Sequence, residues 1–216
     1  MLDWQAIDTV LLDMDGTLLD LHFDNFFWRQ HVPRRYAELH GLSLADAHED
    51  LAGRYQRHLG TLNWYCVDFW SRELRLDIAR LKTEVQHLIA VHPQVPEFLQ
   101  ATRAAGKRVT LVTNAHHKSL TLKMQCTRLD IHFDAMITSH QIGLPKEHPD
   151  FWRKLQSIER YDPARTLLVD DSLPVLRAAQ TYGIAYLLAV YQPDSKEGRK
   201  DVEGFRAIEG FNDIMP

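Results

Sequence analysis

The stretch Thr9-Val10-Leu11-Leu12-Asp13-Met14-Asp15-Gly16-Thr17 decides how the rest of the chain is read. Thr9 to Leu12 is a short β-favouring apolar run, closed by Asp13 and broken by Gly16, which reads as a buried strand. Asp13 and Asp15 stand two positions apart at its end. On extended chain such a pair faces one side, so one carboxylate can attack while the other transfers a proton. A solvated turn built on Asp15-Gly16 is the plainer alternative, and the remainder of the chain must choose between them.

From about residue 23 to residue 91 the chain changes character. Apolar residues recur at helical spacing, as in Leu62, Tyr65, Cys66 and Phe69, and Trp28, Trp64 and Trp70 all fall here. The breaks near Pro33, Gly41-Leu42-Ser43, Gly53 and Gly60 predict several antiparallel helices. After Pro93 strands and helices alternate. Strands are predicted at Arg108 to Val112, Ala135 to Thr138, Thr166 to Val169 and, as the last, Ala185 to Val190. Helices are predicted after Pro96, over His116 to Arg128, over Pro149 to Ile158, and from a cap at Asp171 or Ser172 to a stop at Gly183. This alternation implies an α/β fold, a Rossmann-like parallel sheet with helices on both faces. The first strand must belong to that sheet, so residues 1–20 and 92–216 are expected to form the α/β core and residues 21–91 an inserted all-helical domain.

Composition narrows the possible partners. The 216 residues carry 25 Lys and Arg against 29 Asp and Glu, a net charge of −4, which argues against binding a nucleic-acid polymer. The longest apolar run, Ile184 to Tyr191, is far short of the roughly 20 residues that span a bilayer. No membrane association and a cytoplasmic location are therefore expected, for a monomer or small homo-oligomer. Cys66 and Cys126, far apart and without metal-ligand spacing, read as small buried hydrophobes.

Ligands of open parallel sheets bind beyond the carboxyl ends of the strands, and three further endings carry chemistry there. Thr113-Asn114 closes its strand just before a helix, an arrangement suited to phosphate oxygens, though also an ordinary turn. Lys146, in Gly143-Leu144-Pro145-Lys146-Glu147, places a cation between a strand and a helix. Asp170-Asp171 puts adjacent acids at the end of a buried strand, which repel unless neutralised, and an oxygen-seeking Mg²⁺ would do that.

Carboxylate pair, Thr, Lys and acidic pair, in this order, resemble the four motifs of the haloacid dehalogenase-like (HAD) superfamily of phosphohydrolases. The helical insertion is similar to the cap that one subfamily carries between its first and second motifs. Asp15 points to phosphoryl transfer, since the dehalogenases themselves lack an aspartate there. The resemblance implies Asp13 as nucleophile, forming an aspartyl-phosphate. It implies Asp15 as the acid that protonates the leaving group and the base that activates water. Mg²⁺ would be held by the Asp13 side chain, the Asp15 main-chain carbonyl and Asp171, with Asp170 as ligand or supporting group. Thr113, the Asn114 amide and Lys146 would hold the phosphoryl oxygens. Val175 stands where many relatives place a further aspartate, which leaves the last metal ligand open.

Substrate choice falls to the cap. The stretches Thr61-Leu62-Asn63-Trp64-Tyr65-Cys66 and Phe23-Asp24-Asn25-Phe26-Phe27-Trp28 interleave aromatic faces with amides, which suits stacking on a base while Asn63 reads its edge. Aromatics at helical spacing are also ordinary core. Together with Thr9 to Asp20, Leu111 to His116 and Leu167 to Ser172, the chain resembles the bacterial GMP/IMP 5′-nucleotidases of the superfamily. That implies a purine nucleoside monophosphate as substrate. Asn63 and Trp64 in the stretch Thr61 to Cys66 are binding candidates. So is His116, which with His117 starts the helix after Thr113 where a leaving group should lie, a surface role being its plainer alternative. A sugar-phosphate phosphatase or phosphomutase on the same core, and a non-catalytic phospholigand-binding module, are the competing expectations. Phosphonate cleavage through a cap lysine is set aside, because Lys82 reads as a surface charge, as does Lys196 to Lys200 near the C-terminus.

Overall fold

The computed structural model describes residues 2–216. Six strands form one sheet: β1 (Thr9–Leu12), β2 (Arg108–Thr113), β3 (Ala135–Thr138), β4 (Thr166–Val169), β5 (Tyr186–Val190) and β6 (Ala207–Ile208), in the order β3-β2-β1-β4-β5-β6. Every pairing is parallel. The strand order reverses between β1 and β4, the place where open sheets bind ligands.

Alternation along the strands divides the core. Val10, Leu12, Val109, Leu111, Leu167 and Val169 face one layer, with Phe98 and Leu99 of the helix Val95–Ala104 and Leu120 and Met124 of the helix His117–Thr127. Leu11, Val112 and Leu168 face the other, with Phe151, Trp152 and Leu155 of the helix Phe151–Ile158 and Leu176 and Ala179 of the helix Leu173–Tyr182. Residue by residue along β1 the side chains switch layers, as a pleated strand requires.

Residues 21–91 hold α1 (His22–Phe26), a π-turn (Phe27–His31), α2 (Val32–His40), α3 (Leu44–His58), a 3-10 turn (Leu62–Tyr65), α4 (Val67–Leu74), α5 (Ile78–Glu84) and a second 3-10 turn (Gln86–Leu88). They enclose a separate apolar cluster that includes Phe23, Phe27, Leu51, Val67, Trp70, Leu74, Ile78 and Leu81. The two chain crossings into this layer run side by side: Asp20 N–H donates to the Ala90 carbonyl at 2.9 Å and His92 N–H to Leu18 at 2.9 Å.

Four sequence expectations are corrected. Pro33 breaks nothing, because α1, the π-turn and α2 form one run. The Val32 N–H donates five residues back to Phe27, and this wider turn absorbs the hydrogen bond that proline cannot make. Gly53 lies inside α3, where a helical glycine costs only about 1 kcal/mol relative to alanine. The sheet does not end at β5, since the two-residue β6 joins it. Of the cysteines, Cys126 is exposed and Cys66 half-buried, so neither is a core hydrophobe. Among the described residues no helix is long and apolar enough to cross a membrane.

Leu11 is fully buried in the central strand. Leu11→Ala should cost about 2–5 kcal/mol, and Tm should fall by roughly 2–4 °C per kcal/mol in a calorimetric melt. A melting temperature within about one degree of the parent would contradict this packing.

Candidate active site

Register builds the site. Leu12 pairs with Leu111 on one side and Val169 on the other, so the next residues, Asp13, Val112 and Asp170, stand level across three strands. The Lys146 ammonium donates to all three: Asp13 Oδ1 at 2.5 Å, Asp170 Oδ2 at 2.6 Å and the Val112 carbonyl at 3.1 Å. Three N–H donors meet three acceptors, so the group is saturated. Lys146 is only 2% exposed; burial disfavours its charge, but Asp13 and Asp170 outweigh this and hold its pKa above the usual lysine range.

The neighbouring carboxylates are shifted upward as well, which for an acid disfavours the charged form. Burial pushes Asp13 up to about 6, with Lys146 opposing and Asp170 adding. Burial likewise raises Asp171 to about 6, with Asp13 adding and Lys200 opposing, and raises Asp170. Asp13, Asp170 and Asp171 each bring one oxygen within 4.8 Å of the others. Asp170 Oδ1 also accepts from Ser172 N–H at 2.9 Å, which leaves Asp171 the less committed acid. Gly16 makes this approach possible: its φ is +85°, and a Cβ there would lie 2.8 Å from Asp171 Cγ.

Asp15 anchors a second buried chain of charge. Lys123 donates to Asp15 at 2.6 Å and to Asp24 at 2.5 Å, and Lys82 donates to Asp24 at 2.9 Å. Burial raises Asp15 to about 6, with Lys123 opposing and Asp24 and Asp13 adding. For Asp24 burial is outweighed by Lys123 and Lys82, which hold it below the usual carboxylate range. The Lys82 ammonium lies 4.4 Å from the Phe27 ring centre. Lys82 is therefore buried, not a surface charge, and burial lowers its pKa despite Asp24. Its ammonium is nevertheless committed to Asp24.

A cavity of about 520 Å³ opens from Asp13, Asp15, Asp171 and Lys146 toward the inserted helices. Its far end is aromatic: Trp28, Tyr55, Trp64 and Trp70, with the Tyr55 and Trp64 rings edge-to-face at 5.8 Å. The Tyr55 hydroxyl is buried with no partner among the described residues. Asn25 and Arg29 add polar groups on the α1 side.

Of the sequence candidates, the fold brings Asp13, Asp15, Asp170, Asp171, Lys146, Asn114, His116 and Trp64 to this cavity. Thr113 is buried just behind it, where its hydroxyl accepts from Ala115 N–H at 3.0 Å. The Asn114 side chain is already committed: Oδ1 accepts from Lys146 N–H at 2.9 Å and Nδ2 donates to Glu147 at 3.0 Å. His116 is buried, and burial, then His117 and His140, lower its pKa to about 4. Asn63 is not brought to the cavity. It is exposed on the 3-10 turn, whose tight winding sends Trp64 inward and Asn63 out. Lys200, expected in a solvated segment, instead donates to the Asp171 carbonyl.

Lys123, Lys82, Asp24, Tyr55 and Lys200 escape a motif reading. A signal exists for two of them. Lys123 shares a helix face with buried Ser119, Leu120 and Met124, and Lys82 one with Ile78, Leu81 and Val85. A charge inside an apolar stripe is costly unless paired.

A carboxylate pair at the switch point of a parallel sheet, a saturated lysine and a second acidic pair define a phosphoryl-transfer enzyme of HAD type. Residues 7–183 match the family model of the haloacid dehalogenase-like hydrolases, and the chain belongs to that family. It is 40% identical over 213 residues, 99% of this chain and 96% of the relative, to the GMP/IMP nucleotidase YrfG of Escherichia coli (strain K12). Among solved structures it resembles a HAD phosphatase from Thermococcus onnurineus, with TM-score 0.80, 22% identity and 96% of each chain covered. It also resembles the HAD-hydrolase YfnB from Bacillus subtilis bound to magnesium, with TM-score 0.63, 15% identity and 96% of each chain covered. The chain is thus a phosphatase acting on small-molecule phosphate esters, in a family generally dependent on Mg²⁺.

Lys146→Met leaves two buried carboxylates without their cation, which should cost about 3–5 kcal/mol near neutral pH in EDTA. Because the folded pKa of Asp13 lies above its unfolded value, the folded state binds the proton more tightly, and stability is lost as pH rises between about 4 and 6. Removing Lys146 enlarges that loss. The variant's deficit should therefore be smaller at about pH 5 than at about pH 7.5 in parallel melts, and equal deficits would contradict the pairing.

Proposed function

We propose that this chain is a Mg²⁺-dependent 5′-nucleotidase that hydrolyses purine nucleoside monophosphates through a phosphorylated Asp13. The observation that carries the reading is one cavity with carboxylates and Lys146 at one end and four aromatic rings at the other. Its volume lies in the usual range of small-molecule sites, and its two ends match the phosphate and the base of a nucleotide. The 40% identity to a GMP/IMP nucleotidase across nearly the whole chain supports the same substrate class.

The acidic cluster suits the cation. Asp13, Asp170 and Asp171 offer hard oxygen donors and no nitrogen or sulfur, as Mg²⁺ prefers. Asp13, Asp171 and the Asp15 carbonyl would hold it, with Asp170 fixed beneath them by Lys146 and Ser172. When bound, Mg²⁺ would offset the repulsion between the Asp13 carboxylate and the phosphate dianion.

An Asp13 oxygen attacks phosphorus while the phosphorus–oxygen bond to the nucleoside breaks. Asp15, whose burial sets its pKa near 6, carries the proton that the leaving ribose oxygen receives. Asp15 then takes a proton from water, whose oxygen attacks phosphorus and frees Asp13. Lys146 holds the Asp13 rotamer, and Lys123 holds that of Asp15. Residues 21–91 act as the cap that excludes water during attack. Trp64, Trp28 and Tyr55 take the base, with the Tyr55 hydroxyl as its polar partner.

Phosphate release from GMP, IMP, AMP, UMP and sugar phosphates, with Mg²⁺ and with EDTA, tests the reading. GMP and IMP should be preferred, and only with Mg²⁺. Trp64→Ala should raise KM for GMP by roughly tenfold or more through lost stacking, while exposed Asn63→Ala leaves it unchanged. Preference for sugar phosphates would overturn the nucleotide assignment and keep the catalytic one.

Mg²⁺ should also raise Tm. Protons and cation compete for Asp13 and Asp171, whose pKa values lie near 6, so the increment should shrink as pH falls through that value. A pH-independent increment in scanning calorimetry would place the cation elsewhere.

A further inference from the structure

Beside the phosphate cavity lies a cluster that phosphoryl transfer does not use. Cys66 from the inserted helices, His116 after β2 and His140 after β3 each bring one ligand atom within 4.8 Å of the others. The His116 and His140 rings meet edge-to-face with centres 4.8 Å apart. Both ring nitrogens of His140 are buried and have no hydrogen-bond partner among the described residues. An imidazole stranded in this way is missing a partner, and nothing in the hydrolytic reaction supplies one.

We propose that Cys66, His116 and His140 form a binding site for a thiophilic divalent cation of the Zn²⁺ class, bridging the cap and the sheet domain. One sulfur and two imidazole nitrogens are donors that zinc favours and Mg²⁺ does not. Zn–S near 2.3 Å and Zn–N near 2.0–2.1 Å put tetrahedral ligand atoms roughly 3.3–3.6 Å apart, so side-chain adjustments of about an ångström close the site. The backbone under each ligand is fixed. Cys66 caps α4 and its sulfur accepts from Phe69 N–H at 3.4 Å, an interaction a metal thiolate retains. His140 sits in a short helical turn (Ser139–Ile142) closed by a reciprocal Thr138–Gln141 capping box. His116 caps the helix that follows it, and its Nε2 lies 3.8 Å from Asp68 Oδ2. A cation on Nε2 would give up the 3.4 Å bond from Lys118 N–H to Nδ1, and Asp68 or water would complete the tetrahedron.

The site is distinct from the acidic cluster in donor chemistry, and it joins elements that come from the two layers. Occupancy would fasten the start of α4 to the sheet domain beside the cavity wall and hinder cap opening. Thiophilic cations should therefore inhibit turnover through Cys66, at a place Mg²⁺ does not contest.

The test uses the full chain in excess Mg²⁺, with Zn²⁺ titrated against a chromophoric chelator and Co²⁺ as spectroscopic probe. The wild type should bind one Zn²⁺, and its Co²⁺ form should show a thiolate-to-cobalt charge-transfer band. Cys66→Ser should lose that band, and both Cys66→Ser and His140→Gln should bind Zn²⁺ at least about tenfold more weakly. Each should keep the parent's circular dichroism and its Mg²⁺-dependent hydrolysis in Mg²⁺ buffer free of Zn²⁺ and Co²⁺, which separates a lost site from a lost fold. No charge-transfer band in the wild type would overturn the proposal. So would undiminished Zn²⁺ affinity in both variants, or loss of Zn²⁺ binding in Asp171→Asn alone.

Discussion

The Lys146 ammonium, held between Asp13, Asp170 and the Val112 carbonyl, is the interaction on which the site depends. Its three acceptors come from three adjacent strands whose register sets them level, so any slip of β1 against β2 or β4 would strand a buried charge. The lysine makes the sheet register and the catalytic geometry one constraint. It also favours the ionised form of Asp13, the form the proposed mechanism needs. A carboxylate buried beside Asp170 and Asp171 without a cation would take up a proton and lose its nucleophilic form.

Charge continues outward from that point. Asp13, Asp15, Asp24, Asp170 and Asp171 face Lys82, Lys123, Lys146 and Lys200, so five carboxylates meet four ammonium groups before any metal enters. A divalent cation among the hard oxygens would resolve the excess and prepare the site for a phosphate dianion. The chain Asp15–Lys123–Asp24–Lys82 ties Asp15, the proposed proton carrier, to α1 and α5, so the same salt bridges that orient Asp15 also seat the inserted helices. Tyr65 adds a polar tie by donating to Glu147 at 2.9 Å, and Glu147 in turn accepts from Asn114. In the proposed nucleotidase reading, phosphate and base sit at opposite ends of one cavity.

Much of this was legible in the sequence because strand ends are local features. Short apolar runs closed by Asp13, Thr113 and Asp170 announce both the strands and the residues that project beyond them, and the family order of these endings does the rest. What the sequence hid is pairing across distance. Lys123 meets Asp15 across 108 positions and Lys82 meets Asp24 across 58, and no spacing rule connects residues so far apart. Local geometry misled in other places. At Pro33 a π-turn absorbed the missing donor, and in the 3-10 turn Leu62–Tyr65 the tight winding turned Asn63 to solvent beside an inward Trp64. Cys66 was unremarkable until the fold set it against two histidines.

The most direct test of the central claim, a phosphoryl group carried by Asp13 and released with the help of Asp15, is rapid-quench mass spectrometry of Asp15→Asn with an aryl phosphate. An aryl leaving group needs no proton from Asp15, whereas the water attack that follows needs its base. One equivalent of phenol should appear in a burst without sustained turnover, and the phosphoryl group should map to the peptide containing Asp13. Sustained turnover without a burst, or a label on any other residue, would contradict the account.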